Sequence, residues 1–460
     1  MMLTTLVFAG LVLASTLSAA PRTKGVDVAV IGGGPCGLAT ALAVQRASPN
    51  AVIAVFERDG ELTPKGSTVV VSPKGWAALR CIDPTVTKRL RRMAVPLESI
   101  SILPMEDGDL PAAPGFARGT LRVVGALNRG LRMVGLPRVA ILGARASRWY
   151  DIRTALAARV QEVCGEDTLR LDCRLKSLAE ATVGDGFTLT FQSGGAALRT
   201  VEARVVLACD GTRSSVRELA PRGARGEQVL VDEGQSVWRG IAQGMDLKGA
   251  CIVLRDMKRA PDSALAIMFP AGGEGGGTSW TVATPKVEGY ARTSDEARNR
   301  LRAVLPPLAK DAPPDAPLAK LWRCIDASPV LIENRLKVRT FGEHSPPFCS
   351  ALNGVAFLGD AAHPVRPTGE GIELAFQDAW QLGAIVKASP DLLPDADMLR
   401  CYEAASLPRV RHVSEKARAL ANTYYKADEG TTGGQEKTGQ SGGSPRPNKK
   451  AAPRFRPKPL

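Results

Sequence analysis

Residues Thr23 to Leu42 read TKGVDVAVIGGGPCGLATAL, and the interpretation of this stretch decides the fold. Val26 to Ile31 is a short apolar run rich in β-branched residues, as expected of a buried parallel strand. Gly32, Gly34 and Gly37 follow in G-x-G-x-x-G spacing, and Leu38, Ala41, Leu42 and Val44 recur at near-helical intervals. Strand, glycine turn, helix is the context in which this spacing binds a dinucleotide. The first glycine permits the turn, the second lets the backbone approach a pyrophosphate, and the third lets helix and strand pack closely. The pyrophosphate sits on the helix N-terminus, where free N–H groups and the dipole favour an anion. A second apolar run, Ala51 to Phe56, ends at Glu57, 20 residues beyond Gly37, where a carboxylate accepts hydrogen bonds from ribose hydroxyls. The bland alternative is a purely structural glycine turn.

Further along, STVVVSP (Ser67 to Pro73) reads as a strand leading to a helix with Trp76 and Leu79 on one face. Trp149 to Val163 reads as an amphipathic helix, with Trp149, Ile152, Leu156 and Val160 on one side. Runs such as VWRGIAQG, ALAIMFP and SWTVATP between Val229 and Pro285 predict a second, mostly antiparallel sheet, with GGEGGG as a hairpin loop. Leu399 to Lys426 reads as helix with a kink or restart at Pro408. Two more strand ends carry chemistry. In VVLACDGTRSSVREL a buried strand ends at Asp210-Gly211, and in VAFLGDAAHPVRPTGEGIELAFQDAW another ends at Gly359-Asp360 before a helix that opens after Gly371. Each places an aspartate at a sheet's C-terminal edge, where it can accept from ligand hydroxyls. The N–H groups of Gly371 and Ile372 can face negative charge. Alone, an Asp-Gly after a strand is usually a turn.

In this order the three stretches resemble the fingerprints of FAD-dependent aromatic hydroxylases of the para-hydroxybenzoate hydroxylase type, a group to which salicylate hydroxylases, kynurenine monooxygenases and zeaxanthin epoxidases are similar. Gly32, Gly34 and Gly37 match the first fingerprint; Asp210, Gly211, Ser214, Val216 and Arg217 match D-G-x-x-S-x-V-R; Gly359, Asp360, His363, Pro367, Gly369 and Gly371 match the third. The resemblance spans roughly Val26 to Arg418. It implies an α/β fold: a Rossmann-like FAD-binding domain, an inserted, mostly antiparallel substrate domain and a C-terminal helix. It also implies that Glu57 binds the adenosine ribose, Gly32 to Gly37 the pyrophosphate, and Asp360 the ribityl chain or a phosphate. Pro367 to Ile372 would lie along the isoalloxazine ring, and Asp210-Gly211 near both FAD and the nicotinamide path. Arg153, with Leu156 and Val160, fits the family's R-x-x-L-x-x-x-L; its alternative is a solvated arginine. Arg58 and Arg217 contact phosphate or ribose in one reading and form surface ion pairs in the other. His363 belongs to the motif's turn rather than to catalysis. Glu370 and Glu373 stand where relatives often carry Gln and Asn, and Ser406 where one of the usual arginines is found.

The implied activity is a monooxygenase in which NADPH or NADH reduces FAD and O2 then supplies one oxygen atom, through a flavin hydroperoxide, to an aromatic or isoprenoid-like substrate. The competing readings are an FAD-dependent reductase on the same scaffold and a non-catalytic FAD-binding protein. A pocket between the two domains would hold the substrate, with Trp238, Met268 and Trp280 as candidate lining. No catalytic residue is singled out.

The 460 residues divide, on this reading, into a signal or membrane-anchor segment (1–24), FAD-binding parts (25–72, 140–225, 341–427), a mixed substrate-side segment (73–139), a substrate domain (226–340) and a disordered basic tail (428–460). The formal charge of +14 is uneven, because Glu436 to Leu460 holds seven Lys/Arg and one acid. Aromatic content of 5% and the absence of a basic helical stripe argue against nucleic acid. Leu3 to Ala20 is apolar apart from Thr and Ser, fitting a cleaved leader or a single anchor, and Arg22 and Lys24 would then leave the body facing the cytosol or an organelle interior. A secretory or plastid address is the alternative. The nine cysteines form no C-x-x-C pair and there are three histidines, so no metal is expected.

Overall fold

The computed structural model describes residues 25–64, 67–105, 143–181, 186–195, 197–220, 230–256, 264–273, 275–308, 312–339, 341, 354–389, 395–425 and 457–460. In chain order the strands are β1 (Val26–Ile31), β2 (Ile53–Phe56), β3 (Thr68–Val71), β4 (Val95–Pro96), β5 (Ser99–Pro104), β6 (Arg145–Arg148), β7 (Leu169–Arg170), β8 (Arg174–Glu180), β9 (Phe187–Ser193), β10 (Ala197–Ala208), β11 (Leu230–Ala242), β12 (Ala250–Arg255), β13 (Leu265–Pro270), β14 (Thr278–Pro285), β15 (Leu331–Arg339) and β16 (Val355–Phe357). The helices are α1 (Pro35–Ala47), α2 (Pro73–Ile82), α3 (Pro84–Met93), α4 (Trp149–Cys164), α5 (Ser215–Leu219), α6 (Ser294–Val304), α7 (Pro317–Asp326), α8 (Gly371–Lys387) and α9 (Ala396–Tyr425).

The first sheet runs β7-β2-β1-β10-β9-β8, with β16 also on β10. The pairs β1–β2, β1–β10 and β10–β16 are parallel. Parallel strands buried on both faces need apolar residues throughout. In β1, Val28 and Val30 pack with α1, α2, α4 and α8, while Ala29 and Ile31 pack on the opposite face with Phe357, Val216 and Val410. The second sheet runs β15-β11-β14-β13-β12-β5, antiparallel except for β12–β5, and α6 and α7 cover one face of it. A small sheet, β3-β6-β4, lies between them in the chain and touches both. This is the expected α/β architecture with an inserted sheet.

The segment 73–139, expected to be mixed or substrate-side, divides between the two sheets. Helices α2 and α3 bury Trp76, Leu79, Val86 and Leu90 in the core of the first sheet, and only β5 joins the second. Its residues 106–142 lie outside the described ones. The last helix runs through Pro408 without a break. The tail is not featureless to its end: Pro457 to Leu460 lies against α2 and α8. The rest of 428–460, and the anchor segment 1–24, lie outside the described residues. Among the described residues no helix is long and apolar enough to cross a membrane, and no cluster of side chains could hold a metal.

Candidate active site

The glycines of the first turn divide into two kinds. Gly32 has φ +108°, and a Cβ there would lie 2.6 Å from the Cys209 carbonyl oxygen; one on Gly37 would lie 2.0 Å from the Gly32 oxygen. These two are demanded by close packing of the protein on itself. Gly34 has only Trp149, 3.8 Å away, over it. It is the N-cap of α1 and offers no capping side chain, so the first amides of the helix are left for a ligand.

Glu57 follows β2 and is buckled to this turn. Its carboxylate accepts the Gly33 amide at 2.9 Å and the Asp59 amide at 3.0 Å, and pairs with Arg153 at 3.0 Å. Arg153 also donates to the Gly33 carbonyl at 2.8 Å. The arginine is 2% exposed, so it is not the solvated residue of the alternative reading. Arg58 points elsewhere: its side chain is 61% exposed, 3.9 Å from Asp59.

The other two motifs converge on the same turn. Gly32 abuts the backbone of Cys209 and Asp210, and Gly359, with φ +58°, leaves room for Cys36. One Asp210 oxygen accepts the Val216 amide at 3.1 Å; the other, Oδ1, is buried without a partner. Burial raises its pKa against the hydrogen bonds from Ser214, Val216 and Ser215. Gly211 (φ +81°) and Gly369 (φ +100°) have nothing near where a Cβ would stand, and a Cβ added at Gly371 would lie 3.9 Å from Asp360 Oδ1. Asp360 is open to the space between these segments but enclosed by protein. That enclosure pushes its pKa up, with His363 and Arg239 pulling the other way. Pro367 and Gly369 are exposed in the loop, and Ile372 is half-buried in the first turn of α8. Arg217 joins the second motif to the third by donating to the Thr212 and Ala361 carbonyls.

The third motif is braced from behind. Asp378 is fully buried in α8; it accepts the Gly359 amide at 3.0 Å, meets His363 Nε2 at 2.5 Å and pairs with Arg409 of α9 at 2.7 Å. Burial alone would push this carboxyl up, but His363, Arg409 and the Gly359 amide hold it below the ordinary range. His363 is thereby part of the turn. Arg409 also reaches Ser406 at 3.2 Å. The two unusual acids have partners of their own: Glu370 accepts from Thr368 and, at 3.2 Å, from Lys416; Glu373 accepts from Ser72 and, at 3.0 Å, from Gln377.

On the second sheet the expected trio, read as candidate lining of a substrate pocket, lies instead in the sheet's own core. Trp238, Met268 and Trp280 are fully buried under α6 and α7, with the indoles donating to Thr284 at 3.0 Å and Ser328 at 2.8 Å. Side chains alternate along a strand, so the neighbours of these residues turn to the sheet's other face, where Ile267 and Phe269 pack with Val70 and Ala146 of the small sheet. Ser279 meets Ser67 at 2.9 Å there. Arg239 is half-buried near Asp360, its Nε has no partner, and burial lowers its pKa despite that aspartate. Sequence reading missed Arg239, although a single cation inside the alternating run VWRGIA is a visible signal. Asp378 left no such signal, being one of two acids on α8.

The family described as FAD binding domain matches residues 25–328. 3-Amino-4-hydroxybenzoate 2-monooxygenase PtmB3 of Streptomyces platensis is 26% identical over 406 residues, covering 87% of this chain and 89% of that protein. The FAD-dependent monooxygenase pigN of Monascus ruber is also 26% identical, over 194 residues, 42% of this chain and 39% of its own length. Among solved structures, HpxO of Klebsiella pneumoniae complexed with FAD and uric acid has the same fold, with a TM-score of 0.63 and 20% identity over 87% of this chain and 90% of that one. The glycine turn, the two aspartate edges and the match over two thirds of the sequence agree: the chain belongs to the FAD binding domain family and is an oxidoreductase of its monooxygenase branch.

Proposed function

We propose that the protein uses NADPH or NADH and O2 to insert one oxygen atom into an organic, aromatic or isoprenoid-like substrate. The residues present fit FAD. Gly34, Gly211 and Gly369 stand open where the packing glycines are closed, and Asp210 Oδ1 is a buried acceptor that lacks a donor. Glu57 would accept the adenosine ribose, Gly32 to Gly37 and the first turn of α1 the pyrophosphate, and Asp360 the ribityl hydroxyls. Gly369 to Ile372 would flank the ring, the α8 amides favouring negative charge there. Asp210 and Gly211 would border both the cofactor and the nicotinamide path. Arg58, at the surface, would reach only a projecting phosphate. Bound FAD supplies the electron and oxygen chemistry; the chain must orient the substrate and keep water out.

The observation that carries the reading beyond FAD binding is Arg239. A cation set between the second sheet and Asp360, with an unpaired N–H, suits a phenolate or carboxylate on the substrate. The membrane reading of Leu3 to Ala20 is likewise proposed, with the body facing the cytosol or an organelle interior; a full-length protein that fractionates wholly as soluble would refute it. The test of activity is an absorption spectrum of residues 25–460, followed by anaerobic NADH or NADPH. Flavin bands that bleach, bleach faster with an aromatic acid, and recover in air support the proposal. Bands that neither nucleotide bleaches, with or without substrate, turn the balance to a non-catalytic flavoprotein, and bleaching without oxygen consumption to a reductase.

A further inference from the structure

Pro457 to Leu460 occupies a groove between the C-terminal ends of α2 and α8, far along the chain from both. Every carbonyl from 457 to 459 has a donor: Cys81 Sγ to Pro457 at 3.5 Å, Trp380 Nε1 to Lys458 at 2.8 Å, and Lys387 Nζ to Pro459 at 3.4 Å. The Leu460 amide donates to the Cys81 carbonyl at 3.0 Å. That carbonyl lies in the last turn of α2, where no intrahelical N–H reaches it. The Leu460 side chain packs against the core beneath α1, α2 and α8. It lies over Gly383, where an added Cβ would sit 2.7 Å from Leu460 Cδ1 and also 2.9 Å from Ala43 Cβ and 3.1 Å from the Ala43 oxygen, so α1 and Leu460 share the space the glycine leaves. A glycine inside a helix costs about 1 kcal/mol relative to alanine, so its presence calls for such a reason. The prolines have no N–H to satisfy and hold φ near the extended value, so the segment loses little freedom on docking.

The same two helices are joined at their other ends. Ser72, the N-cap of α2, donates to Glu373 in the first turn of α8, and Gly75 lies against Glu373. That first turn follows directly on the Gly369 to Gly371 loop. We infer that the groove is a binding site for an extended Pro-x-Pro-Leu segment, filled here by residues 457–460 of the same chain, and that its occupancy clamps α2 to α8 and so slows the escape of FAD. The inference rests on FAD lying along that loop.

The experiment compares the full chain with one lacking residues 457–460 and with Leu460→Asp, using two readouts that involve no turnover. Alkylation of Cys81, mapped by mass spectrometry against exposed Cys401, reports on the groove; flavin fluorescence released on dilution reports on the cofactor. Both variants should label faster at Cys81 and release FAD about fivefold faster or more. A synthetic peptide of residues 451–460 should reverse both effects in the truncated chain. Unchanged Cys81 labelling would overturn the site. Faster labelling with unchanged FAD release would overturn the clamp.

Discussion

At the scale of single residues the site depends on a few buried charges. Asp378 meets three partners at once, two in the Gly359–His363 turn and one on α9, so Asp378→Asn should cost about 3 kcal/mol, read as a lower thermal midpoint. The pH dependence follows the same residue. A carboxyl held below its unfolded value adds stability at neutral pH and loses that share as pH falls through the folded-state value. Asp83 acts in the same direction: burial pushes it up, but the Val86 amide, Arg159 and Arg46 hold it low. Thermal midpoints should therefore be level near pH 7 and fall steeply below about pH 4. A flat profile down to pH 3 would contradict both assignments. Arg239→Met should leave FAD content unchanged and raise the KM for an anionic aromatic substrate by about tenfold or more, since one charge-assisted hydrogen bond is lost.

At the scale of elements, Ser72 couples two helices, since its hydroxyl accepts the Gly75 amide at 3.2 Å as the α2 cap and donates to Glu373. Ser72→Ala should cost about 1 kcal/mol for the cap and leave a 7% exposed carboxylate one donor short. Differential scanning calorimetry of the ligand-free protein is the check, and a midpoint equal to that of the parent chain would count against the coupling. The elements were the most legible part of the sequence. Glycine spacing, β-branched runs and the two Asp-bearing strand ends are local signals, and they located β1, α1, β10, β16 and α8. Less legible was which face of a strand looks inward. Trp238 and Arg239 are neighbours, and hydrophobicity alone favours the tryptophan for a pocket; α6 and α7, which claim that face, come more than fifty residues later. At Pro408, read as a kink or a restart, α9 does not restart, for a related reason. Packing of α9 on α8 and the first core holds the helix through the proline, which a local rule cannot anticipate.

At the scale of the whole molecule, neither unit is continuous in sequence. The first sheet draws on β1 and β2, then β7 to β10, then β16, and the second recruits β5 from the first hundred or so residues. A protein cut down to residues 230–339 lacks β5 and part of the Ser67–Ser279 contact. It should fail to give a cooperative melt, whereas residues 25–460 should retain FAD, because β1 begins at Val26.

This braiding also sets a timetable for biosynthesis. Val26 pairs with Ala203, and Val206 with Val355, so the middle of the first sheet waits for segments made much later. At about 5–20 residues per second, roughly ten to thirty seconds separate the emergence of β1 from that of its inner partner. Throughout that interval an apolar strand leaves the ribosome with one side open. Until its partners emerge, the nascent chain carries an open apolar strand edge of the kind that aggregates unless it is shielded.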